Sequence, residues 1–180
     1  VHTPTHSNGE ADLTALYQLT HLINETINQP KIIINKSTCP IGTAKTIQVI
    51  LKEKATIIVN PEFLREGCAI EDFLKPDRIV IGGEHNSAMQ VVKSLYTNLQ
   101  LPDDHFLMMK WQEAEMTKYA SNAMLANKIS FINELSQIAE YVQVDIEAVK
   151  KGMAFDHRIG PHFIHPGCGF GGSCFPKDLR

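Results

Sequence analysis

The sequence lacks several features that mark specialised classes of protein. It has no block of lysines or arginines and a formal net charge of −3, which argues against a nucleic-acid surface. No apolar run approaches the roughly 18 residues that a membrane-spanning helix needs, and the first residues do not resemble a secretion signal. The four cysteines form no CxxC pair, which is typical of reduced thiols. We therefore expect a cytoplasmic protein that binds neither nucleic acid nor a membrane.

In the first 110 residues, short β-branched runs alternate with helical patterns. Apolar runs that predict strands are KIIIN (31–35), TIIVN (56–60), RIVIGG (78–83) and FLMMK (106–110). Helical spacing of apolar residues predicts helices over 11–28, 43–54 and 86–99. Strands alternating with helices of this length favour an α/β fold with a parallel, doubly wound sheet.

The pattern changes after residue 110. Residues 112–142 contain no glycine or proline and many small residues, which predicts one long helix against which other helices can pack closely. A second helix is expected near 146–153, with Asp145 as its N-cap and Gly152 near its end. The rest reads as loop. We therefore predict a dinucleotide-binding part over 1–110 and a helical part over 111–180.

Three polar segments fall where strands are expected to end: TPT (3–5), KSTCPIG (36–42) and NPEFLREG (60–67). The strand before TPT is expected to lie ahead of Val1. In a doubly wound sheet, ligands bind beyond the carboxyl ends of the strands. Ordinary turn chemistry accounts for any one such segment. Three together favour a ligand site at this edge.

Lys118 and Asn122 lie four residues apart on the long helix and share an otherwise apolar face. Such groups need buried polar partners. An alternative of equal weight is a lysine that extends to solvent at the helix edge.

The stretch GFGGSCFPKD (169–178) places Cys174 beside Lys177 and Asp178. A cysteine near positive charge is a candidate nucleophile, whereas a turn that contains a buried cysteine is the plainer alternative. The order of His162, His165 and Cys168 also permits a zinc site, but the intervening proline and glycine do not make a compact metal knuckle, so we predict no metal.

Four motifs, taken in order, resemble the UDP-glucose dehydrogenase family. This family belongs to the nucleotide-sugar dehydrogenases, a group that also includes GDP-mannose dehydrogenases. The motifs are NPEFLREGCAIEDFLKPDRIVIGG (60–83), AEMTKYASNAMLANKISFINE (114–134), RIGPHF (158–163) and GFGGSCFPKD (169–178). The resemblance runs along essentially the whole chain.

The resemblance implies a Rossmann-like NAD-binding domain, a helical central domain and a homodimer built around the long helix. It implies oxidation of a sugar's C6 alcohol to a carboxylate with two NAD+ per sugar, through a cysteine thiohemiacetal and thioester. UDP-glucose is the favoured substrate. The catalytic residues that it implies are Cys174 as nucleophile, Asp178 as general base, Lys118 and Asn122 as oxyanion stabilisers, Glu62 for thioester hydrolysis and Thr38 in the proton relay.

The resemblance also assigns binding residues. Substrate contacts are implied for Phe63, Leu64, Arg65, Glu66, Phe163, Phe170 and Gly171, and for Arg158 reaching into the neighbouring subunit. Cofactor contacts are implied for Thr3, Pro4, Thr38, Glu66 and Cys174.

The chain departs from the family pattern at two large features. The glycine fingerprint G-x-G-x-x-G and the C-terminal UDP-binding domain are both missing. We therefore expect the chain to be an internal piece of a longer enzyme and to be inactive alone. A GDP-mannose or other nucleotide-sugar dehydrogenase, and a non-catalytic helical interaction module, remain alternatives. A smaller departure is His165, which stands where many family members carry a different residue, some of them a lysine.

Overall fold

The computed structural model describes residues 1–171 and 175–178 and divides the chain into two compact units, Val1–Tyr119 and Ala120–Arg180. The strands of the first unit are β1 (Lys31–Asn35), β2 (Ala55–Val59), β3 (Ile79–Gly82) and β4 (Phe106–Met109). Its helices are α1 (Thr14–Thr26), α2 (Thr43–Leu51), α3 (Ala69–Leu74) and α4 (Asn86–Ser94), with 3-10 turns at Thr97–Leu99 and Asp103–His105. The predicted α/β class is confirmed.

The sheet has the order β1-β2-β3-β4. Both outer pairs are parallel, but β3 runs antiparallel to β2 and pairs with it only through Val59 and Gly82. The chain therefore re-enters the sheet from the edge at which β2 ends. Residues just before β3 consequently lie at the same edge as residues just after β2.

The core of this unit lies on both faces of the sheet. Ile57 and Val59 of β2 belong to a buried cluster with Ile47 of α2, whereas Ile58 belongs to a second cluster with Val92 of α4. This period of two is what a strand covered on both faces requires. The isoleucines of β1 are only half-buried, because β1 is an edge strand of this sheet.

The long helix α5 (Trp111–Tyr141) begins on the sheet. Trp111 Nε1 donates a hydrogen bond of 2.9 Å to the carbonyl oxygen of Ile57, and Ala114 lies fully buried against Gly82. These contacts fix the first turns of α5 relative to β2 and β3.

The second unit contains the rest of α5, then α6 (Ile146–Ala154) and α7 (Phe175–Asp178). Asp145 caps α6 as predicted, since its carboxylate accepts a 2.9 Å hydrogen bond from Glu147 N. The loop after α6 is tied to α5 by a 2.9 Å bond from Lys128 Nζ to the carbonyl of Ile159. The prediction of loop as far as residue 180 is wrong at α7, where one helical turn forms.

Candidate functional site

The first two predicted segments meet beyond the carboxyl end of β1. Thr3 is buried, and its Oγ1 donates a 3.0 Å hydrogen bond to the carbonyl oxygen of Thr38. Ser37 Oγ accepts from the amino group of Val1 and donates to its carbonyl oxygen. Pro4 is exposed beside this contact. The two segments therefore form one surface at the sheet edge.

The third segment surrounds a buried lysine. Only 5% of Lys118 is exposed, and its Nζ lies 3.8 Å from Glu62 Oε1 and 5.1 Å from the centroid of the Phe63 ring. Glu62 is fixed in turn, because its Oε2 accepts a 2.6 Å bond from Leu64 N. The alternative of a lysine extended into solvent is therefore wrong. The ammonium is held by a carboxylate and a ring face, which offset part of its desolvation.

Sequence reasoning missed Arg78. Its guanidinium carbon lies 3.8 Å from the Phe63 ring centroid, and burial lowers the pKa of Arg78. Two cations, Arg78 and Lys118, thus contact the same ring. The segment KPDRIV gave no signal for this, because the antiparallel sense of β3, which brings Arg78 to this edge, cannot be read from the sequence.

Asn60, which is buried immediately after β2, belongs to a predicted polar segment but was not singled out from the sequence. Its Nδ2 donates a 2.8 Å bond to the carbonyl of Val80, and its Oδ1 accepts from Lys36 Nζ at 3.1 Å and from the Tyr96 hydroxyl. This amide stands in for ladder hydrogen bonds where β2 and β3 share only one registered pair.

The rest of the predicted substrate loop is exposed. The Arg65 side chain pairs with Asp72 at 2.6 Å, and Arg65 N donates to the same carboxylate. These hydrogen bonds raise the pKa of Arg65 and lower that of Asp72. Leu64 and Glu66 are exposed. Any substrate contact of Arg65 would therefore compete with Asp72.

In the second unit, two predicted catalytic residues come together. Asn122 on α5 and Asp178 on α7 are both buried, and Asn122 Nδ2 donates a 2.6 Å hydrogen bond to Asp178 Oδ2. The turn of α7 is what delivers the carboxylate to α5. Cys174 lies outside the described residues.

The remaining predicted substrate residues lie on the loop between α6 and α7. Exposed Arg158 pairs with Asp156 at 2.6 Å, which raises the pKa of Arg158 and lowers that of Asp156. Phe163 has a left-handed backbone, with a φ of 62°. Phe170 contacts the Phe175 ring edge-on at 5.9 Å and lines an open cleft of about 530 Å³. Gly171 is exposed.

The described part of the chain contains neither a cluster of metal ligands nor a helix that could span a membrane. Over 1–171 and 175–178, no three His, Cys, Asp or Glu side chains are grouped so that they could hold a metal ion. Within the same ranges, every helix is too short or too polar to cross a membrane.

The chain matches known proteins along its whole length. Residues 1–100 match the model of the UDP-glucose/GDP-mannose dehydrogenase family, NAD binding domain, and residues 112–180 match that family's central domain. A UDP-glucose 6-dehydrogenase of Pseudomonas aeruginosa is 42% identical over 189 residues, which cover 100% of this chain and 42% of that protein.

Solved structures agree with the sequence matches. A UDP-glucose dehydrogenase of the archaeon Pyrobaculum islandicum superimposes with a TM-score of 0.90 at 41% identity, over 98% of this chain and 42% of that one. A GDP-mannose dehydrogenase of Pseudomonas aeruginosa gives 0.79 at 32% identity, over 100% of this chain and 44% of that one.

The chain thus spans about two fifths of the length of these relatives. It carries an α/β unit whose polar strand ends form one surface and a helical unit with a buried amide–carboxylate pair. Together with matches to two successive domain models, these features show that the chain belongs to the UDP-glucose/GDP-mannose dehydrogenase family.

Proposed function

We propose that this chain forms part of an NAD-dependent nucleotide-sugar 6-dehydrogenase that oxidises the C6 alcohol of UDP-glucose to a carboxylate. The observation that carries the proposal is the buried Asn122–Asp178 pair at 2.6 Å, which stands where the family resemblance implies the sugar-binding amide and the general base. The two UDP-glucose dehydrogenases described above are 41% and 42% identical to the chain and the GDP-mannose dehydrogenase is 32% identical, which favours UDP-glucose.

The carboxyl edge of β1 suits a dinucleotide, because open α/β sheets bind such ligands there. The hydrogen bond between buried Thr3 and the Thr38 carbonyl gives this edge a fixed polar surface. We assign cofactor contacts to Thr3, Pro4, Thr38, Glu66 and Cys174. NAD+, when bound, supplies the hydride acceptor for each of the two oxidations.

The residues of this chain supply proton transfer and charge stabilisation. Asp178, acting through a bound water, takes the proton of the C6 hydroxyl. The Cys174 thiolate attacks the aldehyde carbon, and Lys118 and Asn122 stabilise the resulting oxyanion. After the second oxidation the acid is held on Cys174 as a thioester. Glu62 assists attack by water, which releases the carboxylate and the thiolate.

Binding of the nucleotide sugar falls to the exposed segments. We assign these contacts to Phe63, Leu64, Arg65, Glu66, Phe163, Phe170 and Gly171, and to Arg158 acting in a second subunit. Arg65 and Arg158 each hold an aspartate. An incoming phosphate can replace that carboxylate, because a guanidinium binds two oxygens of either group at once.

We also propose that the second subunit docks on α5. Met124, Phe131 and Ile138 recur at seven-residue spacing and are 61%, 51% and 58% exposed. Apolar residues at this spacing form one stripe along a helix, and an identical stripe on a second copy can cover it.

The test is turnover by the polypeptide as its organism produces it, supplied with NAD+ and either UDP-glucose or GDP-mannose. We expect two NADH per UDP-glucose and little product from GDP-mannose. Asp178→Asn keeps an acceptor for Asn122 but loses the base, so kcat should fall by about a hundredfold or more.

The matched control is Asp103→Asn, which neutralises an exposed carboxylate paired with Lys93 in the first unit. Its kcat should equal that of the wild type. Undiminished turnover by Asp178→Asn would remove the general base from this proposal. Absence of NADH with every nucleotide sugar would remove the function itself.

A further inference from the structure

Glu115, on the first part of α5, is almost fully buried and binds the start of α2. Only 3% of the residue is exposed. Its Oε2 accepts a 2.7 Å hydrogen bond from Gly42 N, and its Oε1 accepts one of 2.7 Å from Ala44 N. Gly42 is the N-cap residue of α2 and has no side chain that could accept a hydrogen bond from the first amides of the helix. Glu115 of α5 supplies this acceptor instead.

The backbone held in this way belongs to the loop that carries Thr38. Residues 36–42 connect β1 to α2, and Gly42 closes the loop with a left-handed φ of 97° that glycine tolerates. At Thr38 the loop is held by Thr3, whose Oγ1 donates to the Thr38 carbonyl at 3.0 Å. The loop is therefore fixed at two points, one of which is Glu115.

Glu115 also stands one helical turn before Lys118 on the same helix. The side chains of both residues are buried in the first unit. A shift of Glu115 relative to α2 would therefore change the separation between the Thr38 loop and the helical turn that carries Lys118.

We propose that Glu115 is a positioning residue that sets the Thr38 loop at a fixed separation from Lys118. This inference rests on the proposed function, in which both residues act. Hydrogen bonds from two amides at a helix N-terminus to a carboxylate are charge-assisted, which makes the link stiff. Misplacement of reacting groups by about 1 Å can cost about a hundredfold in rate.

Burial raises the pKa of Glu115, while its bonds from Ala44 and Gly42 act in the opposite sense. The two hydrogen bonds thus offset part of the desolvation that burial imposes on the carboxylate. A residue needed only to fill space between α2 and α5 would be apolar.

The test compares Glu115→Gln with a control on the other end of α2. Glutamine has one acceptor oxygen and a donor nitrogen, so only one of the two amides keeps a partner. Gln48→Met is the control, because it removes three hydrogen bonds, to Lys52, Ala55 and Ile57, at the end of α2 away from the Thr38 loop.

We expect Glu115→Gln to lower kcat by about 10- to 100-fold, with KM for the nucleotide sugar changed by less than about twofold. Glu115→Asp, which keeps both acceptor oxygens, should recover part of the loss. Amide hydrogen exchange over residues 41–46 should rise in Glu115→Gln and stay as in the wild type in Gln48→Met. The control should lose stability without a comparable loss of kcat.

Two outcomes would overturn the inference, and they are distinguishable. If the wild type turns over and Glu115→Gln loses no more kcat than Gln48→Met, the positioning role fails and the proposed function stands. If the wild type reduces no NAD+ with any nucleotide sugar, both fail. Should Glu115→Gln not fold, Glu115→Asp decides by the same comparison of kcat, KM and exchange.

Discussion

At the scale of single residues, the ion pair between Arg65 and Asp72 ties the proposed substrate loop to α3. The Arg65 side chain is exposed and that of Asp72 is half-buried, and the guanidinium binds the carboxylate at 2.6 Å. Hydrogen bonds from Arg65 hold the pKa of Asp72 below its ordinary value. A lowered native pKa means that the carboxylate's contribution to stability is present above the ordinary Asp pKa and is lost as pH falls through the lowered one.

We therefore expect a carboxyl NMR titration to give Asp72 a midpoint below that of an ordinary aspartate. Arg65→Met should move this midpoint upward, because it removes the side-chain hydrogen bonds and the positive charge. Arg158→Met is the matched control, since it breaks an equivalent exposed pair with Asp156 and should leave Asp72 unchanged. An unchanged Asp72 midpoint in Arg65→Met would contradict the assigned cause.

Which site residues could be predicted from the sequence follows from how each one is held. Lys118 and Asn122 were identifiable because a lysine and an asparagine interrupt an apolar helical face, and Asp178 because it closes a recognisable motif. Arg78 and Glu115 were not identifiable. Their partners, Phe63 and Gly42, are set by strand direction and helix packing, which a local pattern does not encode.

At the scale of elements, the close contact of β3 with α5 depends on glycine at position 82, which has no side chain. A Cβ added at Gly82 would lie 2.5 Å from Ala114 Cβ and 3.2 Å from the carbonyl oxygen of Lys110. Neither neighbour is the flexible end of a long side chain. The strand and the helix would have to separate.

We therefore expect Gly82→Ala to lower the free energy of unfolding by about 1–3 kcal/mol, measured by urea denaturation. Gly152→Ala serves as the control, because Gly152 lies in α6 with nothing within 4 Å of the added Cβ. It should raise the free energy of unfolding by about 0.5–1 kcal/mol through helix propensity. Equal effects at the two sites would show that close packing at Gly82 has no special cost.

The elements themselves were largely predictable. The runs KIIIN, TIIVN and FLMMK form strands within one residue of their expected bounds, because β-branched runs bounded by polar turns leave few alternatives. The antiparallel sense of β3 and the single turn of α7 were not predictable. Both depend on tertiary geometry, which the periodicity of apolar residues does not encode.

At the scale of the whole molecule, the proposed dimer can be tested on the α5 stripe. Ile138→Glu places a charge within this apolar stripe, once on each subunit. With roughly 1.5–3 kcal/mol lost per buried isoleucine, we expect the dimer dissociation constant to rise by at least about a hundredfold in sedimentation equilibrium.

Gln137→Glu is the control, since it adds the same charge at the neighbouring exposed position, which points away from the stripe. It should leave the dimer intact. A wild-type protein that sediments as a monomer, or an Ile138→Glu variant that stays dimeric, would remove α5 as the subunit contact.

The cap that Glu115 gives to α2 also has a consequence for synthesis of the chain. The two amides that it binds belong to Gly42 and Ala44, which are 73 and 71 positions earlier in the chain. During translation, residues 36–44 leave the ribosome long before their partner has been made. Strands β1 and β2 can pair before that point, whereas the amides of Gly42 and Ala44 lack their protein acceptor until Glu115 emerges. Completion of this loop is therefore one of the late events in folding of the unit, because its closing contact is among the most distant in sequence.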